Sequence, residues 1–356
     1  MRAAVLTGPG RLDLVEWLEE PRPGPREVLV AVRRVGICGT DYHAYNGTQN
    51  FVVYPCVLGH ELAVEVVQVG SEVADLQVGD LCAVLPYVSC GLCGACRRGR
   101  TNCCERIEVL GITRAGGLRE RMVVPAAQLF HAVGLSLDQL VLVETLGIGW
   151  HAVARSQPDP QDTVLVLGAG PIGLAVAHAA RPRVRQVLIA DISAGRAGFA
   201  GTTGLEALTV GDHLEAEVRD RTGGPLPSLV FDASGSPSSM EASFGFVGTG
   251  GRLVFVGHTR ASLTFDNPGF HARELELRAS RNATLADWAE VVSAVLAGML
   301  DARSWVNHRM TFDAVVDELP RLATDPGRVV KAVAEVDLAG GTDGPHHRSG
   351  TTTASP

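Results

Sequence analysis

The chain has 356 residues and a formal net charge of -8, from 31 basic and 39 acidic side chains. That length exceeds one ordinary core and suits two domains, each able to bury a core without disulfides. The acidic balance argues against a general affinity for nucleic acid or for an anionic membrane surface.

The opening MRAAVLTGPGRLDLVEW lacks an apolar run of signal-peptide length, and the most apolar segment, VLVLGAGPIGLAVAHAA, is broken by glycines and Pro171. The expectation is a soluble, cytoplasmic protein. In a reducing compartment eight cysteines, five of them between residues 90 and 104, read as metal ligands or free thiols rather than as a disulfide framework. Basic charge is almost all arginine, Lys331 being the only lysine, a bias from which no mechanism follows.

Along the first 145 residues, VLVAVRRVGIC, AVEVVQVG, DLCAVLPYV and RMVVPAAQLF have strand length and β-branched content, which predicts a β-rich, barrel-like domain. From about residue 146 the texture changes to apolar strand, glycine turn and Ala-rich helix, in TVLVLGAGPIGLAVAHAA and then VLIADIS. With SLVFDAS and GRLVFVGH this predicts a parallel sheet covered by helices. LADWAEVVSAVLAGML then reads as an amphipathic helix by which the chain returns to the first domain. The tail AGGTDGPHHRSGTTTASP has a disordered composition, its His346 and His347 being a solvated pair.

Three constellations carry chemistry. Cys90, Cys93 and Cys96 suit a tight turn aiming three thiolates at one point, and seven residues separate Cys96 from Cys104; spacing alone leaves Cys103 and Cys104 both open as the fourth. Four thiolates close a zinc site, so that metal would be structural. Upstream, GICGTDYHAYNG and VLGHELAVEVVQVG offer Cys38, His43, His60 and Glu61, and Glu144 follows where the chain enters the second domain. Cysteine with histidine suits zinc, and three protein ligands leave a position for water or substrate. Gly168, Gly170 and Gly173, with Pro171 and Ile172 between the last two, form Gly-x-Gly-x-x-Gly between strand and helix, the turn that cradles a dinucleotide pyrophosphate. Asp191, eighteen residues past Gly173, is placed to bind an adenosine ribose, favouring NAD; nearby Arg196 makes NADP the lesser alternative.

Together these motifs, with VGD at 78–80 and FDASG leading to GGRLVFVG, resemble the zinc-dependent medium-chain alcohol dehydrogenase family over nearly all of residues 1–338. The resemblance implies a GroES-like β-barrel catalytic domain, residues 1–146 with 284–338, and a Rossmann doubly wound NAD-binding domain, residues 147–283, in an α/β chain with a tail at 339–356. It implies two zinc ions per chain. It selects Cys104 as the fourth structural ligand and makes Cys38 and His60 ligands of the catalytic zinc, with Glu61 or Glu144 as the third. Asp41 would orient His60. Thr40 would take the substrate proton and His43 would pass it on, while hydride goes to the nicotinamide.

ETLGIGWHAV and FHARELELRASRNAT resemble the sorbitol and L-iditol dehydrogenase branch, implying a secondary alcohol of a polyol or sugar acid, or the corresponding ketone, as the small-molecule partner. Tyr45, Phe51, Arg281 and Asn282 are candidates to line its pocket. An aminopolyol or cyclitol is the alternative substrate, a catalytically inactive NAD- and zinc-binding protein the alternative class, and a homodimer or homotetramer the implied assembly. Two departures stand out. Val64 occupies a position where the family carries glycine, which would disturb the strand behind His60, and DISAGRAGFAGTTG is Gly-rich enough to loosen the helix after Asp191.

Overall fold

The computed structural model describes residues 1–16, 21–49, 51–325, 327 and 329–336; the Gly-rich tail, with His346 and His347, lies outside the described residues. The β-branched run Glu27–Ile37 is the hub of the first layer. It pairs antiparallel with Glu61–Val69, Arg121–Pro125 and Lys331–Glu335. Leu81–Val84 and Leu129–His131 extend the sheet on one side, and Val306–Thr311 joins Lys331–Glu335 in parallel on the other. A smaller sheet of Arg11–Glu16, Arg2–Gly8 and Cys56–Val57 shares its core, in which Val30, Leu58, Leu62, Met122 and Ala334 pack together.

Prolines set two breaks that the apolar pattern hides. Residues 80–88, expected as one strand, divide into Leu81–Val84 and Tyr87–Val88, because Pro86 between them has no N–H for a ladder. Residues 121–130 likewise divide after Pro125, with a 3-10 turn at Ala126–Gln128 before the chain re-enters the sheet.

The second layer is a sheet of six parallel strands, ordered Glu206–Thr209, Gln186–Asp191, Thr163–Leu167, Leu229–Asp232, Arg252–Phe255 and Glu276–Ala279. In chain order that is third, second, first, fourth, fifth, sixth, the doubly wound arrangement that binds ligands at the carboxyl ends of its strands. Alternation along Thr163–Leu167 sends Val164 and Val166 into one apolar cluster and Leu165 and Leu167 into another, so both faces are covered.

The helix Val143–Ser156 joins the two layers. The apolar cluster it belongs to runs from Ala63 and Ala83 of the first sheet to Val166 of the second and Leu174 of the helix Pro171–Ala180. Two glycines let it approach closely: a Cβ on Gly149 would meet Ala175 at 2.5 Å, and one on Gly147 would meet Trp288 at 2.6 Å.

Neither departure disrupts its element. Val64 is fully buried opposite Val32 in an unbroken strand, and the partner takes up the irregularity as a register shift between Val32 and Arg34. The helix Ala194–Thr202 forms despite its glycines, with the Ser193 hydroxyl capping it by accepting the Arg196 N–H.

Candidate active site and metal centres

One buried carboxylate organises the first loop. Asp41, in the helix Gly39–Tyr45, accepts the Cys38 N–H at 2.8 Å through Oδ2. Its Oδ1 lies 3.4 Å from the Gly59 nitrogen and 3.8 Å from His60 Nδ1. The loops of Cys38 and His60 are thereby tied to one anchor, with Nδ1 the ring nitrogen on the Asp41 side. Burial pushes the Asp41 carboxyl up, against the pull of His60. On the same helix Thr40 Oγ1 lies 3.9 Å from Cys38 Sγ, and His43 is exposed with Nδ1 2.9 Å from Thr48 Oγ1.

Ligand atoms of Cys38, His60 and Glu61 all lie within 4.8 Å of one another. His60 Nδ1 is buried and lacks a hydrogen-bond partner at normal distance. Burial works against a charged imidazole, but Asp41 and Cys38 prevail and hold its pKa well above the ordinary value. Glu61 is the more constrained partner. Both its oxygens lie 2.7 Å from Lys331 Nζ, and Oε1 also accepts the Thr145 hydroxyl at 2.8 Å. Burial would raise this carboxyl; Lys331 and then His60 outweigh it and hold it below the ordinary range. Space for the side chain comes from Gly36 on the neighbouring strand, where a Cβ would stand 2.1 Å from Glu61 Oε2.

Glu144 approaches from the helix Val143–Ser156 and accepts the Tyr87 hydroxyl. Burial raises its pKa, His60 opposes that, and Glu61 adds to it. One thiol, one buried imidazole and one carboxylate with converging ligand atoms form a donor set that zinc accepts, with Glu144 a further carboxyl close to His60.

Four more sulfurs converge in the loop beyond. Cys93 Sγ is 3.4 Å from Cys96 Sγ and 3.9 Å from Cys104 Sγ, which is 3.4 Å from Cys90 Sγ. These separations are far beyond a disulfide bond and near the ~3.8 Å edge of a tetrahedron with ~2.3 Å zinc–sulfur bonds. The sulfur of Cys103 stands outside the group. Main-chain N–H groups of Leu92 and Cys93 bring the Cys90 thiol down to about 6, whereas burial pushes Cys96 up to about 12. Four converging sulfurs at near-tetrahedral separations therefore fit zinc as well.

The glycine turn divides its three roles physically. Gly168 adopts φ +98, and a Cβ on Gly173 would fall 1.7 Å from the Gly168 carbonyl, so the helix Pro171–Ala180 can press against the strand only with glycine there. At Gly170 a Cβ would meet nothing within 4 Å; no protein contact requires this glycine, and the open space beside the helix N-terminus suits a pyrophosphate. Asp191 is buried at the end of the adjacent strand, accepting the Ala169 N–H at 2.7 Å and the Ser193 N–H at 2.8 Å. The residues present therefore fit a dinucleotide.

Comparison with known proteins agrees with this geometry. Residues 24–134 match the family described as alcohol dehydrogenase GroES-like domain, and residues 171–297 the family described as zinc-binding dehydrogenase. The L-galactonate-5-dehydrogenase of Escherichia coli K12 is 40% identical, over 88% of this chain and 93% of that protein. This chain belongs to the zinc-binding, medium-chain alcohol dehydrogenases. It is 32% identical to the 2-dehydro-3-deoxy-L-galactonate 5-dehydrogenase of Pseudoalteromonas atlantica, over 80% of this chain and 84% of that one. The crystal structure of the alcohol dehydrogenase rspB from Escherichia coli CFT073, complexed with NADH, superposes with a TM-score of 0.87 at 30% identity, covering 94% of this chain and 99% of that one.

In this zinc-binding dehydrogenase the pocket candidates scatter. Tyr45 turns its hydroxyl to the Gly10 carbonyl at 3.2 Å, Phe51 is 62% exposed, and Arg281 and Asn282 follow the sixth strand of the parallel sheet. Sequence reasoning missed Lys331, Thr145, Tyr87 and Gly36. The one available signal was the single lysine of an arginine-dominated chain, sited where arginine would be the compositional default.

Proposed function

We propose that the chain oxidises a secondary alcohol of a sugar acid with NAD, most specifically a hydroxyl at a position equivalent to carbon 5 of a hexonate. The convergence of Cys38, His60 and Glu61 carries the zinc chemistry, and the L-galactonate and 2-dehydro-3-deoxy-L-galactonate 5-dehydrogenases among the relatives support the substrate class.

Cys38, His60 and Glu61 would hold the catalytic metal, with Lys331 balancing the carboxylate and Asp41 fixing the imidazole. Glu144, restrained by Tyr87, would be a further carboxyl beside that metal. Bound there, zinc supplies the Lewis acidity that makes an alcohol hydroxyl easier to ionise. Thr40 would accept the hydroxyl proton while releasing its own toward His43, which is exposed, bonded to Thr48 and able to pass a proton to solvent. NAD supplies the hydride acceptor, held at Gly168, Gly170 and Gly173, with Pro171 and Ile172 starting the helix behind its pyrophosphate. Asp191 prefers a free ribose over a 2′-phosphate, and Arg196 serves the helix cap through its N–H. Cys90, Cys93, Cys96 and Cys104 would hold the structural zinc.

The division into residues 1–146 with 284–338 and residues 147–283 is supported by the return of Val306–Thr311 and Lys331–Glu335 to the first sheet. A reducing, cytoplasmic setting agrees with eight free cysteines, and no helix among the described residues is long and apolar enough to cross a membrane.

NAD reduction over a panel of hexonates, polyols and aminopolyols tests the reading. Turnover on hexonates at least tenfold above the other classes is expected; preference for aminopolyols, or turnover with no panel member, would contradict it.

A further inference from the structure

Within the cysteine lobe, beside its four converging sulfurs, Asn102 is 2% exposed and ties three segments of the chain together. It lies in the 3-10 turn Thr101–Cys103, directly before Cys104. Its Nδ2 lies 2.9 Å from the Arg281 carbonyl and 3.0 Å from His151 Nε2, while its main-chain carbonyl accepts Asn282 Nδ2 at 3.2 Å. Across the ring, His151 Nδ1 is 3.0 Å from Asp287 Oδ2, which also accepts the N–H and hydroxyl of Thr284.

Donor and acceptor chemistry fixes each role. A carbonyl only accepts, so Arg281 requires the NH₂ end of the Asn102 amide. The same NH₂ faces Nε2, which must present its lone pair, and the Asp287 carboxylate takes the proton on Nδ1. His151 thus offers Nδ1–H to Asp287 and its Nε2 lone pair to Asn102, and both Asn102 amide hydrogens are used.

What this network holds is a bend. Asn282 adopts φ +54, a left-handed conformation that asparagine tolerates, three residues beyond Ala279 at the carboxyl end of the sixth parallel strand. Asp191 ends a strand on the other side of the first strand, so an adenosine held there places the reactive end of the dinucleotide toward the bend. His151 belongs to the helix that carries Glu144 and Thr145.

We infer that Asn102 is a positioning residue for alcohol oxidation. It clamps the Arg281–Asn282 bend against the helix of Glu144, so the cysteine lobe, which does no chemistry itself, sets the place of the alcohol beside the reactive end of the cofactor. The inference rests on the dehydrogenase reading.

Its test uses the zinc-replete full chain with Asn102→Ala, His151→Phe and both together, measuring zinc per chain, NADH Kd by fluorescence, and kcat and KM for the best hexonate of the wild type. The expected single variants keep two zincs and an NADH Kd within about twofold, raise the alcohol KM about tenfold with a smaller change in kcat, and give a double variant no worse than the poorer single, because one network is broken once. Unchanged KM in both singles, additive losses, or a loss that follows zinc content overturns the inference. Should Asn102→Ala fail to fold, Asn102→Ser and His151→Phe carry the same comparison. An active wild type with an indifferent Asn102→Ala defeats the positioning role alone; a wild type that binds zinc and NADH yet oxidises nothing defeats the dehydrogenase reading and this role with it.

Discussion

At the scale of single residues, the polar core of the site depends on one ion pair. Lys331 is 3% exposed, and burial would depress its pKa if Glu61, first among its charged neighbours, did not hold the ammonium in place. Removing one partner of such a pair leaves a buried charge uncompensated, at a cost of about 3–5 kcal/mol. Lys331→Met is therefore expected to lose roughly that much stability in urea unfolding, and a variant within about 1 kcal/mol of wild type would show that Glu61 needs no cation. This pair was invisible to sequence reasoning because its members stand 270 residues apart, with nothing local to connect them. Tyr87 and Glu144, 57 residues apart, escaped for the same reason. The cysteine lobe and the glycine turn were legible because their members lie within one loop or one turn, where spacing carries most of the geometry, although it left Cys103 and Cys104 both open.

Among the elements, the helix Pro171–Ala180 carries a titratable group into the core. His178 packs 5.8 Å from Trp305, and its Nε2 lies 3.1 Å from Thr203 Oγ1. Burial, assisted by Arg181, lowers its pKa to about 4. The unfolded chain, with an ordinary histidine, takes up the proton first on acidification, so this group's contribution to stability is complete above pH ~6.5 and lost as pH falls toward ~4. Between pH 7 and pH 5 that loss is about 2 kcal/mol. His178→Asn is expected to shrink the pH 7-to-5 stability difference in urea unfolding by about that amount, and equal differences for the two proteins would remove His178 from the acid response. Element boundaries show where pattern reading fails. Apolar alternation runs through Pro86 and Pro125, yet a missing N–H ends each ladder there. The parallel strands were easier, since burial on both faces writes them as continuous apolar runs.

Across the whole molecule, function divides between a closed sulfur lobe, an open thiol–imidazole–carboxylate centre, and a dinucleotide turn that presses against its own strand. The long helix Val143–Ser156 spans the first two layers' cores and brings Glu144 to one of these centres and His151 to the lobe's neighbour Asn102. The central claim is that metal at Cys38, His60 and Glu61 performs the chemistry while metal at the cysteine lobe holds structure. Zinc per chain, measured together with turnover and melting temperature on wild type, Cys38→Ser and Cys93→Ser, tests it most directly. The account predicts two zincs in the wild type. It predicts one zinc, no turnover and a Tm within ~2 °C for Cys38→Ser, and a Tm lower by several degrees, at least ~4 °C, for Cys93→Ser. A single zinc in the wild type, a Cys38→Ser variant that still turns over, or equal loss of stability in the two variants would contradict it.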